Sequence, residues 1–217
     1  MADFPVLYSF RRCPYAIRAR LAVAASRETV ELREIVLRDK ASEFLAVSPS
    51  ATVPCLKVGE RVIDESLDIM FWALERSDPE GWLTPPHSDV NTMLDLIGSC
   101  DGPFKKHLDR YKYDTRYADA NREEERASAS DFVWKLEDRL KSGPCLYGET
   151  ASLADFAILP FVRQFANTDR SWFEAQGWEA VKTWLSAFEG SGRFQAVMHK
   201  WRKWQAGDNP VFFPDRG

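Results

Sequence analysis

The stretch "YSFRRCPYAIRAR", Tyr8–Arg20, decides how the chain is read. Before it, Pro5–Phe10 is short, apolar and strand-like. After it, Ile17, Leu21, Ala24 and Ala25 recur at helical spacing. Cys13 stands at the seam, followed by Pro14, which suits the first helical position because its missing N–H is not required there. A thiol so placed faces the unpaired N–H groups and the positive end of the helix dipole. Such placement can lower a cysteine from about 8.5 to roughly 3.5–7.5. Arg11, Arg12 and Arg18 add positive potential. The alternative is a buried, inert cysteine.

Around this stretch, the first eighty residues alternate strand and helix. Val6–Phe10 leads into the helix after Cys13 and then into a β-branched segment, Thr29–Leu37. A short helix follows around Ala41–Leu45. Next, Cys55–Val58 and Arg61–Asp64 flank Gly59-Glu60, a two-residue connection that suits a tight hairpin. A further helix carries Leu67, Met70, Phe71 and Leu74 on one face. The order is βαβ-α-ββα, and its βαβ unit predicts parallel pairing with a right-handed crossover.

The Pro-, Gly- and polar-rich "SDPEGWLTPPHS", Ser77–Ser88, is the expected boundary. The division is 1–76, a linker at 77–88, and an all-helical bundle over 89–217. In that bundle Val133, Leu136 and Leu140 share one face, as do Val181, Trp184, Leu185 and Phe188, and Phe194, Val197, Met198 and Trp201. "SLADF", Ser152–Phe156, has the spacing of a helix cap, with Ser152 and Asp155 satisfying end donors.

Composition narrows the classes. The chain has 217 residues, 45% hydrophobic and 29% charged, enough for a packed core and unlike a disordered segment. A net charge of -4 argues against general nucleic-acid binding. No apolar run reaches membrane-span length, and the first residues lack a signal-peptide layout, so a cytoplasmic address is expected. Cys13, Cys55, Cys100 and Cys145 are spread too evenly for a disulfide framework. His87, His107 and His199 are isolated, and no metal site is expected.

Two further motifs carry chemistry. In "TVP", Thr52–Pro54, a cis bond before Pro54 would leave the Val53 backbone free to pair with an extended, peptide-like ligand. In "DES", Asp64–Ser66, Ser66 is either a plain helix cap or, with the helix-start N–H groups, a holder of a carboxylate, with Glu65 accepting from an amino group. Lys40 is placed to reach a second carboxylate.

Taken in order, "RRCPYA", "TVP", "DES" and "SLADF" make the chain resemble the cytosolic glutathione S-transferase family over nearly its whole length. A cysteine at the helix start resembles the omega-like and glutaredoxin-like branches. The resemblance implies a thioredoxin-like first domain and an all-helical second. It implies Cys13 as catalytic thiol, Val53 and Pro54 beside the cysteinyl part of glutathione, Glu65 and Ser66 at its γ-glutamyl end, and Lys40 at its glycine carboxylate. It also implies a homodimer, although glutaredoxin-like relatives can be monomeric. Two departures stand out. Ala16 replaces the second cysteine of a dithiol motif, and Ala151 is a weak hydrophobic staple before the Ser152 cap.

The expected reaction is thiol–disulfide exchange through a mixed disulfide with glutathione, reducing glutathionylated thiols, dehydroascorbate or related oxidants. Conjugation of glutathione to an electrophile is the alternative. It needs a hydrogen-bond donor to the glutathione sulfur, a poor role for an S–H, with Tyr8 or Ser9 as substitutes. A non-catalytic interaction module on the same fold is the third reading. The second substrate is expected against "DGPFKKHLDRYKY", Asp101–Tyr113, where Gly102-Pro103 should bend or break the helix. The wall residues there are Lys105, Lys106, Arg110, Tyr111 and Tyr113; a solvated basic face is the plainer alternative.

Overall fold

The computed structural model describes residues 4–215, which divide into two compact units. The first combines the chain up to Glu80 with Ser191 onward; the second is Gly81–Gly190.

In the first unit, strand β1 (Val6–Ser9) runs into helix α1 (Pro14–Ser26) and returns as β2 (Val30–Glu34), parallel to β1 with Val6 opposite Glu31. Helix α2 (Ser42–Val47) leads to β3 (Cys55–Val58) and β4 (Arg61–Ile63), an antiparallel hairpin. Gly59 turns that hairpin at a φ of 58°, a left-handed conformation that glycine adopts without a Cβ clash. Helix α3 (Ser66–Leu74) then packs against α1. The βαβ-α-ββα order predicted from patterning is therefore the observed one.

Helix α1 is buried nearly all round, from Pro14 through Ser26, with only Tyr15 and Ala24 half-exposed. The apolar stripe at Ile17, Leu21 and Ala25 understated this. A helix covered on every side must take its polar residues into the interior, and Arg18 and Arg20 are buried with it. Strand β2 alternates inward Val30, Leu32 and Glu34 with outward Glu31 and Arg33, so Glu34 also points inward.

The last segment departs from expectation. The division at 89–217 places residues 191–217 in the helical bundle, yet their described part belongs to the first unit. Its helix stops at Val197, so Met198 and Trp201 fall beyond the helical face predicted for them. Phe212–Phe213 then forms β5, antiparallel to β2, which completes a sheet of order β4-β3-β1-β2-β5. The backbone explains the preference: β2 offers an open edge, and Leu32 N–H donates to Val211 O at 2.7 Å. Phe213 is buried, whereas Phe212 stays half-exposed against Phe4.

In the second unit, α4 (Val90–Ser99) passes through a π turn at Cys100–Phe104 into α5 (Lys105–Lys112). At Gly102-Pro103, where a bend or a break is expected, the helix runs on through a widened turn that absorbs a residue lacking an N–H. Helices α6 (Arg122–Leu140), α7 (Leu153–Ala166), α8 (Arg170–Glu174) and α9 (Glu179–Glu189) follow. Their core holds the predicted stripes, with Val133, Leu136, Val181 and Leu185 all buried. Helix α10 (Gly192–Val197) lies in the first unit.

The 77–88 linker is not slack chain. Glu80 pairs with Arg193 at 2.7 Å in the first unit, while Trp82 is fully buried in the second, stacked on Phe156 at 4.0 Å. Asp155 anchors α7: its carboxylate accepts from Ser152 N and Oγ, Leu146 N and Trp184 Nε1 at 2.8–2.9 Å.

Candidate functional site

Cys13 caps the N-terminus of α1, with Pro14 in the first turn and Ile17 N–H donating to the Cys13 carbonyl at 2.9 Å. A tight turn brings it there, closed by Cys13 N–H to Phe10 O at 3.0 Å. The thiol is half-buried, and its Sγ lies 3.6 Å from Val53 O. The Val53–Pro54 peptide bond is cis, as the motif suggested. Cys13 and Val53, distant in sequence, are brought together. Pro54 is buried behind them.

Ser66 opens α3 and is buried; its hydroxyl accepts from Arg18 Nε at 3.0 Å. That bond ties the start of α3 to α1, and the hydroxyl proton and the helix-start N–H groups are the donors suited to a carboxylate. Glu65 is the exposed N-cap residue beside it. Lys40 is half-buried on the loop between β2 and α2, and among the described residues no bond ties it to Cys13, Val53, Pro54, Glu65 or Ser66.

The hydroxyls considered as substitutes for the thiol are both engaged. Tyr8 OH accepts from Arg33 Nη1 at 2.9 Å, inside a cluster with Phe44, Ile35 and Cys55. Burial pushes the Tyr8 phenol above its ordinary range, with Arg33 opposing. Ser9 Oγ is fully buried and accepts from Arg20 Nη1. Cys55 belongs to the same cluster, but burial, with the Asp64 carboxylate beside it, pushes its thiol up to about 12.

Sequence reasoning missed the layer beneath Cys13. Glu34 Oε1 accepts from Arg11 N–H at 2.7 Å, and Arg20 is wholly enclosed. Burial raises the Glu34 carboxyl, opposed by the Arg11 N–H and the Arg20 charge. Both had left a trace: an arginine on a helix without a polar face, and an acid at an inward strand position.

The proposed second-substrate wall lies in the second unit, where its members have different fates. Tyr111 is fully buried against Phe165, with Arg122 over its ring at 4.8 Å. It is a core residue, because α5 turns that face toward the bundle. Arg110 bonds Glu125 and lies 3.1 Å from Asp119, while Lys105 pairs with Asp109. Arg116 covers the Tyr113 ring at 4.2 Å. Lys106 is exposed. Much of the basic run is therefore internally neutralised.

Among the described residues no cluster has the composition of a metal site, and no helix is long and apolar enough to cross a membrane.

The sheet order, the cysteine cap and the cis Val53–Pro54 bond coincide with two family matches. Residues 7–81 match the glutathione S-transferase N-terminal domain, and residues 119–187 match its C-terminal domain. The chain belongs to the glutathione S-transferase family. It is 28% identical to glutathione S-transferase DHAR2 of Arabidopsis thaliana over 150 residues, 68% of this chain and 64% of that one. It is also 28% identical to maleylacetoacetate isomerase of Rattus norvegicus over 178 residues, 78% of this chain and 80% of that one. The fold matches glutathione transferase Omega 3C from Trametes versicolor at a TM-score of 0.75 and 19% identity, over 91% of this chain and 85% of that one. Matches to the DHAR relatives span half to just under two thirds of their length.

Proposed function

We propose that this transferase uses Cys13 for glutathione-dependent thiol–disulfide exchange. The observation that carries the reading is the Cys13 thiol at the mouth of α1, its Sγ against the Val53 carbonyl, with the neighbouring Tyr8 and Ser9 hydroxyls already bonded elsewhere. Cys13 thiolate attacks the glutathione sulfur of a glutathionylated substrate, forming an enzyme–glutathione disulfide and releasing the substrate thiol. A second glutathione thiolate attacks that disulfide, giving oxidised glutathione and restoring the Cys13 thiolate. No second thiol is required, in keeping with Ala16 at the resolving position.

Glutathione is assigned to the Val53 backbone and Pro54, the helix-start N–H groups at Ser66, Glu65 and Lys40. The basic stretch on α5 is assigned to the second substrate, with Lys106 as its exposed cation and Tyr111 now excluded by burial. A homodimer and a reducing, cytoplasmic setting complete the reading. Conjugation ranks second because both neighbouring hydroxyls, on Tyr8 and Ser9, are buried.

Intact-protein mass after incubation with oxidised glutathione tests the reading, on the parent chain and on Cys13→Ser. One glutathione adduct, absent from the variant and reversed by reduced glutathione, is expected. No adduct with glutathione still bound in calorimetry would favour conjugation. Neither adduct nor binding would mean a transferase fold used as a scaffold.

A further inference from the structure

Arg20 is the most conspicuous polar group outside the assigned site. It sits seven residues after Cys13, two turns along α1 and so on the same side of the helix. It is fully buried, which for a guanidinium demands compensation. Two of its three hydrogen bonds go to the chain that leads into Cys13, and the third goes to α10. Nη1 donates to Ser9 Oγ, Nη2 to Arg11 O at 2.9 Å, and Nε to Val197 O on α10 at 3.0 Å. Trp201 covers it at 6.0 Å.

Resting on the reading of Cys13 as the reactive thiol, we infer that Arg20 is a positioning residue for it: the buried guanidinium holds Ser9–Arg11 in the path that presents Cys13 at the start of α1, and keeps a fixed positive charge behind the thiol. Three acceptors, on strand β1, the turn after it and helix α10, set a fan of directions that a flexible cation does not reproduce. Burial lowers Arg20 to about 10, so it remains charged at neutral pH, and the charges acting on it include Glu34, Cys13 and Arg11.

Other groups around the thiol complete its electrostatics. Arg11 and Arg12 lie on the preceding turn, Arg18 on α1 and Glu34 on β2, whose buried Oε2 has no hydrogen-bond donor among the described residues. Cys55 stays neutral on β3. Glu34, where ionised, offsets part of the positive field of Arg20.

The test is the pH dependence of Cys13 alkylation by iodoacetamide, read peptide by peptide, beside the exchange rate with a glutathione mixed disulfide. The full chain, Arg20→Gln and Arg20→Lys are compared, with circular dichroism reporting folding. Arg20→Gln is expected to raise the Cys13 midpoint by about one pH unit or more. Arg20→Lys is expected to hold the midpoint within about 0.3 unit yet lose roughly tenfold in exchange rate at unchanged KM, because an ammonium cannot span the three acceptors. A folded Arg20→Gln with an unmoved midpoint overturns the inference. So does Arg20→Lys exchanging at the parental rate, which decides the matter if Arg20→Gln does not fold. A parent chain whose Cys13 takes no glutathione removes the reading of Cys13 itself and this inference with it. A parental adduct with an unmoved Arg20→Gln midpoint removes the inference alone.

Discussion

The cysteines illustrate how one residue type is given different chemistry by its surroundings. Cys13 sits at a helix mouth, half-exposed, whereas burial holds Cys55 up to about 12 and Cys145 up to about 11. A raised thiol value means that the neutral S–H persists until the pH approaches it. At pH 8 roughly one Cys55 in ten thousand and one Cys145 in a thousand is thiolate. Brief iodoacetamide treatment at pH 8 should therefore label Cys13 far ahead of both, and Cys145 labelling should rise only as the pH nears 11. Peptide mass mapping reads this directly. Cys13→Ser should abolish exchange, since a serine hydroxyl does not attack disulfides, while glutathione affinity in calorimetry is retained. Cys13 was legible in the sequence because a proline after it marks a helix start. Arg20 left only a trace, an arginine on a helix without a polar face, because whether an arginine reaches solvent depends on what covers its helix.

At the scale of elements, α7 owes its start to one carboxylate. Asp155 accepts four hydrogen bonds, from Ser152 N and Oγ, Leu146 N and Trp184 Nε1. Asp155→Ala would strand those donors in the interior, and a loss of about 3–4 kcal/mol is expected from urea unfolding. Asp155→Asn keeps an acceptor and should lose less. The local half of this arrangement was readable from "SLADF"; the bonds to Leu146 and Trp184 come from other parts of the chain and were not. The π turn at Cys100–Phe104 shows the converse limit. A Gly-Pro pair reads as a bend or a break, and packing of Phe104 and Leu108 in the bundle decides that the helix runs on through it.

At the scale of the molecule, the chain returns to its first unit after building the second. Trp204 N–H donates to Glu34 O at 2.9 Å, its ring packs edge-on against Tyr8, and β5 adds to the sheet beside β2. Phe213→Ala should lower stability by about 3 kcal/mol in denaturant unfolding. The variant should also open the β2 edge, detectable as faster amide exchange at Leu32. An unchanged exchange rate there would mean that β5 adds nothing to the sheet edge.

By itself the sequence determined the βαβ-α-ββα order, the hairpin at Gly59, the helical stripes and the thiol at the helix mouth. Each of these is written in local periodicity, turn chemistry or the position of a proline. The tertiary structure alone decided that the tail joins the sheet, that Tyr111 faces a core, that Arg18 and Arg20 lie inside, and that Val53 meets Cys13. Those outcomes depend on which surfaces remain open once the neighbouring elements have packed, and pairwise spacing along a chain carries no record of that.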